Sequence, residues 1–320
     1  FGTENGLNRY DGYKFTVYRP NLLDSQSISF YTVGEIFSDR SGTMWLCGPG
    51  AFGLDRFDRT TERFTHYLPN DNVSSRYEDA QGTLWFATSC GGLFRYDKAS
   101  TTFKHYSLVN DTLASICGNP GDNDRTLLVG TAKGVVKFDQ REGTWTHLQG
   151  GPSGRVTAMV GDRAGYVWIG TRDGLYAYNS TWNVCSFFPF GRQIARNTGD
   201  NEVQILYEDR KGLVWIGIAG AGIAMFNPST GRYRHFPHVG YQAGWVNKQA
   251  ICEDRAGALW VVTAGRGLQK YDRNTGSFLT YLNDPRDSHS PSSTLVNAIS
   301  LHRALPLWIG TWGGGLSRID

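Results

Sequence analysis

The sequence lacks an apolar run of the roughly 18 residues that a membrane-spanning helix requires. It also lacks a basic cluster: Lys and Arg are scattered and the formal net charge is only +3, whereas a nucleic-acid-binding face needs a basic patch or stripe. No CxxC pair occurs, which gives a zinc site little support. We therefore expect no metal, no cofactor and no nucleic acid. The dispersed cysteines, which we interpret as small buried apolar residues, are Cys47, Cys90, Cys117, Cys185 and Cys252.

Glycine and aromatic residues are abundant, and they recur in a pattern. Asp-x-x-Gly-x-x-Trp, a short apolar strand and Gly-Leu-x-Arg-Tyr-Asp return about every 44 residues, a period typical of an array of supersecondary modules. The intact copies of the turn begin at Asp39, Asp79, Asp162, Asp209 and Asp254. In the third copy Asn119 replaces the Asp and Leu128 the Trp, and in the last copy His302 takes the Asp place.

Each repeat predicts four strands. The pattern Val-x-x-Ile precedes the Asp turn, Trp-Ile-Gly-Thr follows it, and Gly-Leu-x-Arg-Tyr-Asp and Phe-x-x-Tyr complete the unit. Four short strands repeated in this way are typical of a β-propeller. We therefore predict an all-β fold of four-stranded antiparallel blades, seven in number, with eight repeats partly represented, and with the Trp side chains packed between neighbouring blades.

The boundaries of the blades follow from the same pattern. We predict one propeller domain over residues 1–320, with a partial first blade at 1–18 and a partial closing or next blade at 296–320. The full blades are expected at 33–67, 73–106, 113–148, 156–188, 203–236 and 246–281. The chain begins within a repeat, so we expect it to be part of a longer protein. Either the strand beginning at Val296 completes the N-terminal blade, which we favour, or an eighth incomplete blade is present.

The repeat D-x-x-G-x-x-W-I-G-T-x-x-G-L-x-R-Y-D resembles the two-component regulator propeller repeat, and the opening residues 1–20 resemble its first blade in hybrid two-component sensors of Bacteroidetes. The resemblance implies a periplasmic sensor on the outer side of the inner membrane that detects oligosaccharides from polysaccharides. It also implies partners in the same chain, a second propeller and a β-sandwich, together with a membrane helix, a histidine kinase, a DNA-binding response regulator and a homodimeric receptor. Membrane attachment would come only through regions outside these residues, and the propeller itself would not be an enzyme.

Chemical motifs are few. The repeated Asp residues would be distributed around one rim, whereas a glycosidase needs two carboxylates within about 5 to 10 Å, so we interpret them as turn caps. Four histidines share a register near the end of the fourth strand and are interpreted as surface residues rather than metal ligands: His66, His105, His147 and His235. The run Asp122-Asn123-Asp124 is interpreted as a solvated turn, because no further calcium ligands follow it.

Departures from the repeat are the candidates for ligand binding, because a regular scaffold places variable residues at its loops. Arg76 occupies an inner-strand position that is Ile or Met in sister blades, and Lys248 one that is usually Val. Hairpin tips and long crossings add charged and aromatic side chains suited to a sugar, especially an acidic one. The full candidate set is Arg76, Arg172, Asp173, Arg196, Trp245, Asn247, Lys248, Arg266 and Trp312. Alternatively, these residues contact the second propeller or line a hydrated channel.

Three functions remain open from the sequence. The first is a sensor that binds an oligosaccharide and changes the balance between two receptor arrangements. The second is a lyase, since the repeats of streptogramin lyases look similar, although a lyase needs a positioned base and no His lies in a hairpin between strands two and three. The third is a purely structural interaction propeller.

Overall fold

The structure is a computed structural model, and it describes residues 1–50, 53–90, 92–108, 110–191, 194, 202–237, 250–263, 266–301 and 307–319. The described residues form thirty β-strands and one short 3-10 turn, Pro120–Asp122. All strand pairs among the described residues are antiparallel, and the neighbours in each sheet are consecutive in the chain. The chain divides into two compact units, Phe1–Leu148 and Gln149–Asp320. No helix among the described residues is long and apolar enough to cross a membrane.

The first unit contains four sheets. One is three-stranded and the other three are four-stranded blades. Their strands are β1 Gly2–Thr3, β2 Gly6–Tyr10 and β3 Phe15–Tyr18; β4 Glu35–Ser38, β5 Met44–Cys47, β6 Leu54–Asp58 and β7 Arg63–Tyr67; β8 Val73–Glu78, β9 Leu84–Thr88, β10 Gly92–Asp97 and β11 Thr102–Ser107; β12 Leu113–Gly118, β13 Thr126–Thr131, β14 Gly134–Asp139 and β15 Thr144–His147.

The second unit also contains four sheets, of which the last is three-stranded. Their strands are β16 Val156–Gly161, β17 Tyr166–Thr171, β18 Gly174–Asn179 and β19 Val184–Pro189; β20 Val203–Glu208, β21 Val214–Ile218, β22 Gly222–Asn227 and β23 Arg232–Phe236; β24 Ile251–Glu253, β25 Leu259–Thr263, β26 Gly267–Asp272 and β27 Ser277–Tyr281; β28 Val296–Leu301, β29 Leu307–Thr311 and β30 Gly315–Ile319.

The all-β blade architecture is confirmed, but the predicted number of seven blades is wrong. The described strands form eight sheets, because the two partial repeats remain separate three-stranded sheets, β1–β3 and β28–β30. In particular, β28 pairs with β29 in its own sheet rather than completing the N-terminal blade, the arrangement favoured from the sequence. Each partial repeat carries its own tight turns, which pair its strands locally.

The repeated Asp acts as the predicted turn cap and also holds the Trp. In the β8–β9 turn, Asp79 Oδ1 accepts hydrogen bonds from the backbone N–H of Gln81 at 3.0 Å and of Thr83 at 2.7 Å, and Gly82 adopts φ +79°. Asp79 Oδ2 accepts the indole N–H of Trp85 at 3.0 Å. The same indole bond joins Trp45 to Asp39, Trp168 to Asp162, Trp215 to Asp209 and Trp260 to Asp254. The sequence predicted the turn but not this bond.

The Trp side chains pack against the next blade, as predicted. The ring centroid of Trp45 lies 4.9 Å from that of Tyr96 in the following blade, and the Trp215 ring lies 4.8 Å from Tyr271. Both indoles are fully buried. Aromatic pairs at such distances add to the free energy gained from area burial, so these contacts stabilise the association of neighbouring blades within each unit.

A second link between neighbouring blades recurs at the Asp turns. The backbone N–H after the turn Asp donates to a Glu carboxylate at the end of the next blade's first strand, as Arg210 does to Glu253 at 2.7 Å and Arg40 to Glu78 at 2.9 Å. In the third repeat Gly118 stands where this Glu would be, and Asp124 supplies the carboxylate instead, accepting the N–H of Ala80 at 2.9 Å. Asp124 is buried, so its interpretation as part of a solvated turn is wrong.

The five cysteines are free thiols, and they differ in how deeply they are buried. Cys90 is exposed, whereas burial raises the pKa of the Cys117 and Cys252 thiols to about 12 and that of Cys185 to about 11. Thiolate is the nucleophile, so the thiols with a raised pKa stay protonated at pH 8. We expect a disulfide reagent at pH 8 to label Cys90 rapidly and the other four cysteines only after denaturation. The absorbance change of the reagent measures the labelling. Rapid labelling of two or more thiols in the folded protein would contradict the burial.

Candidate functional site

The hairpins after the second strands and the crossings between blades lie at the same end of each blade, which we call the hairpin end. Since strands alternate in direction, the Asp turns and the turns between strands three and four lie at the opposite end, the turn end. Backbone bonds join the loops of the hairpin end. For example, Phe190 N–H in a crossing donates to Asp173 O in a hairpin at 3.0 Å. This is where the sequence predicted a ligand.

The structure brings two of the predicted residues, Arg266 and Trp312, next to one crossing. The N–H of Gly267, adjacent to Arg266, donates to Thr294 O at 2.9 Å, and the N–H of Trp312 donates to Leu295 O at 2.7 Å. Trp312 is 53% exposed and Leu295 is 45% exposed. The exposed Trp312 and the segment that follows Arg266 therefore both adjoin Thr294 and the exposed Leu295, which we call the 294–295 crossing.

Arg172 and Asp173 lie in a different blade. They form the exposed hairpin tip between β17 and β18, and Asp173 is tied through its carbonyl to the following crossing. One blade, β20–β23, separates this tip from Arg266 in chain order. We treat the two tips as separate places on the hairpin end.

Arg76 has a protein partner. Its Nε donates to Glu35 Oε1 at 3.0 Å, and its guanidinium carbon lies 3.9 Å from the ring centroid of Phe37. Both partners belong to β4, the first strand of the preceding blade. The Arg76 charge is thus paired across a blade interface.

Four predicted site residues lie outside the described residues: Arg196, Trp245, Asn247 and Lys248.

A Ser, Asp and His cluster in the first unit went unnoticed in the sequence. Buried Asp55 accepts the backbone N–H of Ser29 at 2.7 Å and its hydroxyl at 2.6 Å, and His66 Nδ1 lies 2.7 Å from Asp55 Oδ1. His66 Nε2 lies 2.9 Å from Ser25 O. A hydrolytic triad needs the nucleophile on one ring nitrogen and the acid on the other, but here Ser29 and Asp55 share Nδ1. The cluster therefore fastens residues 25–29 to the β4–β7 blade.

The histidines predicted to be surface residues differ from one another. His105 stacks on Phe94 with ring centroids 4.5 Å apart, and His235 Nε2 lies 2.6 Å from Ala221 O. His147 is exposed. Among the described residues no group of three or more His, Cys, Asp or Glu side chains could hold a metal ion.

Sequence comparison identifies the repeat itself. The two-component regulator propeller profile matches residues 67–90 and 150–173. Each match includes the Asp turn or the strands around it, from β8 to the end of β9 and from β16 to the end of β17. At these two places the chain matches the two-component regulator propeller repeat. No curated protein is similar enough in sequence to match it.

Solved structures share the fold of these repeats at low sequence identity. The extracellular domain of the hybrid two-component system BT3049 from B. thetaiotaomicron is 23% identical, with a TM-score of 0.55, over 99% of this chain and 42% of its own length. Virginiamycin B lyase from Staphylococcus aureus is 12% identical, with a TM-score of 0.62, over 89% of this chain and 94% of its own. A catalytically inactive variant of that lyase with quinupristin is 14% identical, with a TM-score of 0.63, over 89% and 94%. This chain thus spans less than half the length of the two-component extracellular domain.

Proposed function

We propose that these blades are the sensor propeller of a hybrid two-component signalling protein, on the periplasmic side of the inner membrane. The observation that carries the proposal is the match of the two-component regulator propeller repeat in both units. The ligand would be an oligosaccharide released from a polysaccharide, and the signal would pass to a histidine kinase outside these residues. A second propeller, a β-sandwich and a second copy of the receptor would be its partners.

The 294–295 crossing is the described place that best suits such a ligand. An exposed aromatic ring gives a sugar a flat apolar surface, and a guanidinium can bond a carboxylate in two places. Trp312 and Leu295 offer the apolar contact and Arg266 the ionic one, and backbone bonds tie the segments of Arg266 and Trp312 to residues 294–295. We therefore propose an acidic oligosaccharide with its ring on Trp312 and its carboxylate at Arg266.

Substitution of Trp312 by Ala tests this site. We expect the affinity for an acidic oligosaccharide to fall roughly tenfold or more, since a lost stacking contact of about 1.4 kcal/mol corresponds to a factor of ten. Arg266→Ala should lower the affinity for the acidic oligosaccharide and leave the affinity for its neutral counterpart nearly unchanged. Titration calorimetry with paired acidic and neutral oligosaccharides measures both effects.

Trp182→Ala is the matched control, because Trp182 is 75% exposed in the β18–β19 turn at the turn end of its blade. It should leave the affinity unchanged. Equal losses in the Trp182 and Trp312 variants, or none in either, would remove the 294–295 crossing from the binding site. Appearance of an eliminated product, seen as new ultraviolet absorbance, would favour the lyase instead of the sensor.

A further inference from the structure

A crevice opens at the turn end of the β8–β11 blade, the end opposite to that blade's own hairpin. It has a volume of about 430 Å³. It lies between the Asp turn before β9 and the turn that joins β10 to β11. The lining residues are Gln81, Gly82, Thr83, Arg95, Tyr96, Asp97, Lys98, Ala99 and Lys104.

The crevice carries an excess of positive charge. Three cations line it, Arg95, Lys98 and Lys104, against one carboxylate, Asp97, which leaves a formal charge of +2. Asp97 is engaged in its own turn, since it accepts the backbone N–H of Ala99 at 2.9 Å and of Ser100 at 3.4 Å. Among the described residues, no ion pair within 4.0 Å joins any of the three cations to a carboxylate.

Two of these cations face each other across the sheet. Arg95 on β10 is directly opposite Lys104 on β11, and like charges in that position destabilise a strand pair. Arg95 lies over the Trp85 ring at 5.9 Å and Lys104 over the Tyr106 ring at 5.0 Å, so both side chains are held near the sheet. The arrangement costs stability in the absence of an anion.

The fold does not require this pair of cations. At the same register in the other four-stranded blades, at least one member of the pair is uncharged: Arg56 faces Thr65, Lys137 faces Thr146, Ala177 faces Ser186, Met225 faces Arg234, and Lys270 faces Leu279. Two facing cations thus occur in one of the six described four-stranded blades.

The equivalent crevice of the β24–β27 blade provides an internal comparison. It has a volume of about 570 Å³, and its lining includes Lys270, Arg273 and Leu279 at the positions of Arg95, Lys98 and Lys104. Arg273 is bonded to two carboxylates, Asp209 and Glu253. The same scaffold therefore accommodates an apolar residue, Leu279, at the position of Lys104. The cation at the position of Lys98, Arg273, is neutralised by carboxylates of the protein.

We propose that the β8–β11 crevice binds the sulfate or phosphate group of an anionic ligand. Lys98, Lys104 and Arg95 would supply charge-assisted hydrogen bonds to the oxyanion, and the amide of Gln81 and the hydroxyl of Thr83 line the same space. Binding would remove the repulsion between Arg95 and Lys104. Function can require local features that lower stability, and two facing cations are such a feature.

The test uses the Lys104→Leu variant, which copies the residue of the sister blade and is therefore compatible with the fold. The probes are a disaccharide with one sulfate ester, the same disaccharide without it, and inorganic phosphate. We expect wild-type protein to prefer the sulfated probe, Lys104→Leu to bind it at least tenfold more weakly, and added salt to weaken the wild-type interaction by screening. The melting temperature of the variant without ligand should stay the same or rise by about 1–2 °C.

Lys270→Ala, in the sister crevice, is the control and should keep the affinity for the sulfated probe. Because Lys104 lies outside the 294–295 crossing, a loss of affinity in Lys104→Leu reports on this crevice whether or not that crossing binds an oligosaccharide. Binding of phosphate as well as the sulfate ester would assign the crevice to tetrahedral oxyanions in general. Equal binding of the sulfated and unsulfated disaccharides, or unchanged affinity in Lys104→Leu, would overturn the proposal.

Discussion

Replacement of Arg273 by Ala will lower the free energy of unfolding by about 3–5 kcal/mol, the usual cost of removing one partner from a buried ion pair. The Arg273 guanidinium, 17% exposed, donates to Asp209 Oδ2 at 2.9 Å and to Glu253 Oε1 at 3.0 Å. Both carboxylates are almost completely buried. Without the guanidinium, Asp209 would keep only hydrogen bonds from neutral donors, and Glu253 would keep the Arg210 N–H and the more distant Arg210 Nε at 4.0 Å.

Urea unfolding of the variant and of an exposed control measures this effect. Arg125→Ala is a suitable control, because Arg125 is 54% exposed in its pair with Asp139, and exposed pairs contribute about 0–1 kcal/mol. The loss of unfolding free energy in Arg273→Lys should lie between those of the two Ala variants, since Lys restores the charge without the two-sided geometry of a guanidinium. Equal losses in the Arg273→Ala and Arg125→Ala variants would show that water already compensates Asp209 and Glu253.

The importance of Arg273 is invisible in the sequence for a physical reason. Its partners lie 64 and 20 residues away in the chain, and its position directly after the third strand is occupied by unlike residues in other blades, for example Lys98 and Gln140. The repeat reports what every blade needs, namely the turn and the buried Trp. A contact made once, between particular neighbours, leaves no periodic signal.

The third repeat also shows the limit of sequence analysis, because here the sequence reveals the loss of a residue but not what replaces it. The sequence shows the lost Asp and Trp at Asn119 and Leu128, and it indicates local irregularity. It does not show that Asp124, from the inserted turn, replaces the missing Glu and accepts both Ala80 N–H and the Tyr77 hydroxyl. Burial and this carboxylate raise the pKa of Tyr77. A carboxylate from another position in the chain can take the place of the missing Glu, and only three-dimensional packing reveals this replacement.

The candidate site residues also differ in how much of their role the sequence shows. Periodicity correctly marked Arg76 as a departure, but the compensating residue, Glu35, is itself a departure in the preceding blade. Two coupled departures form a structural pair, whereas Arg266 and Trp312 meet at a crossing with exposed surface. The facing cations Arg95 and Lys104 were missed because each fits the polar pattern of its own strand, and only their register opposes them.

The bond between the repeated Asp and Trp predicts the second large effect. Trp85→Leu should cost roughly 3 kcal/mol or more, because it removes most of a fully buried indole and leaves Asp79 Oδ2 without its donor. Asp79→Asn alone should cost about 1–2 kcal/mol, since the carboxylate that accepts the turn amides and the indole loses its charge. Both values are measured as free energies of urea unfolding.

The double variant Asp79→Asn, Trp85→Leu reproduces the pair that the third repeat carries naturally, Asn119 and Leu128, both of them buried. Its cost should be smaller than the sum of the single costs by about 1 kcal/mol, because the second change no longer breaks the bond that the first removed. The matched Trp182→Ala variant should change stability little. Additive single costs would mean that the indole bond contributes nothing beyond burial, and that Asp79 stabilises the turn through its backbone contacts alone.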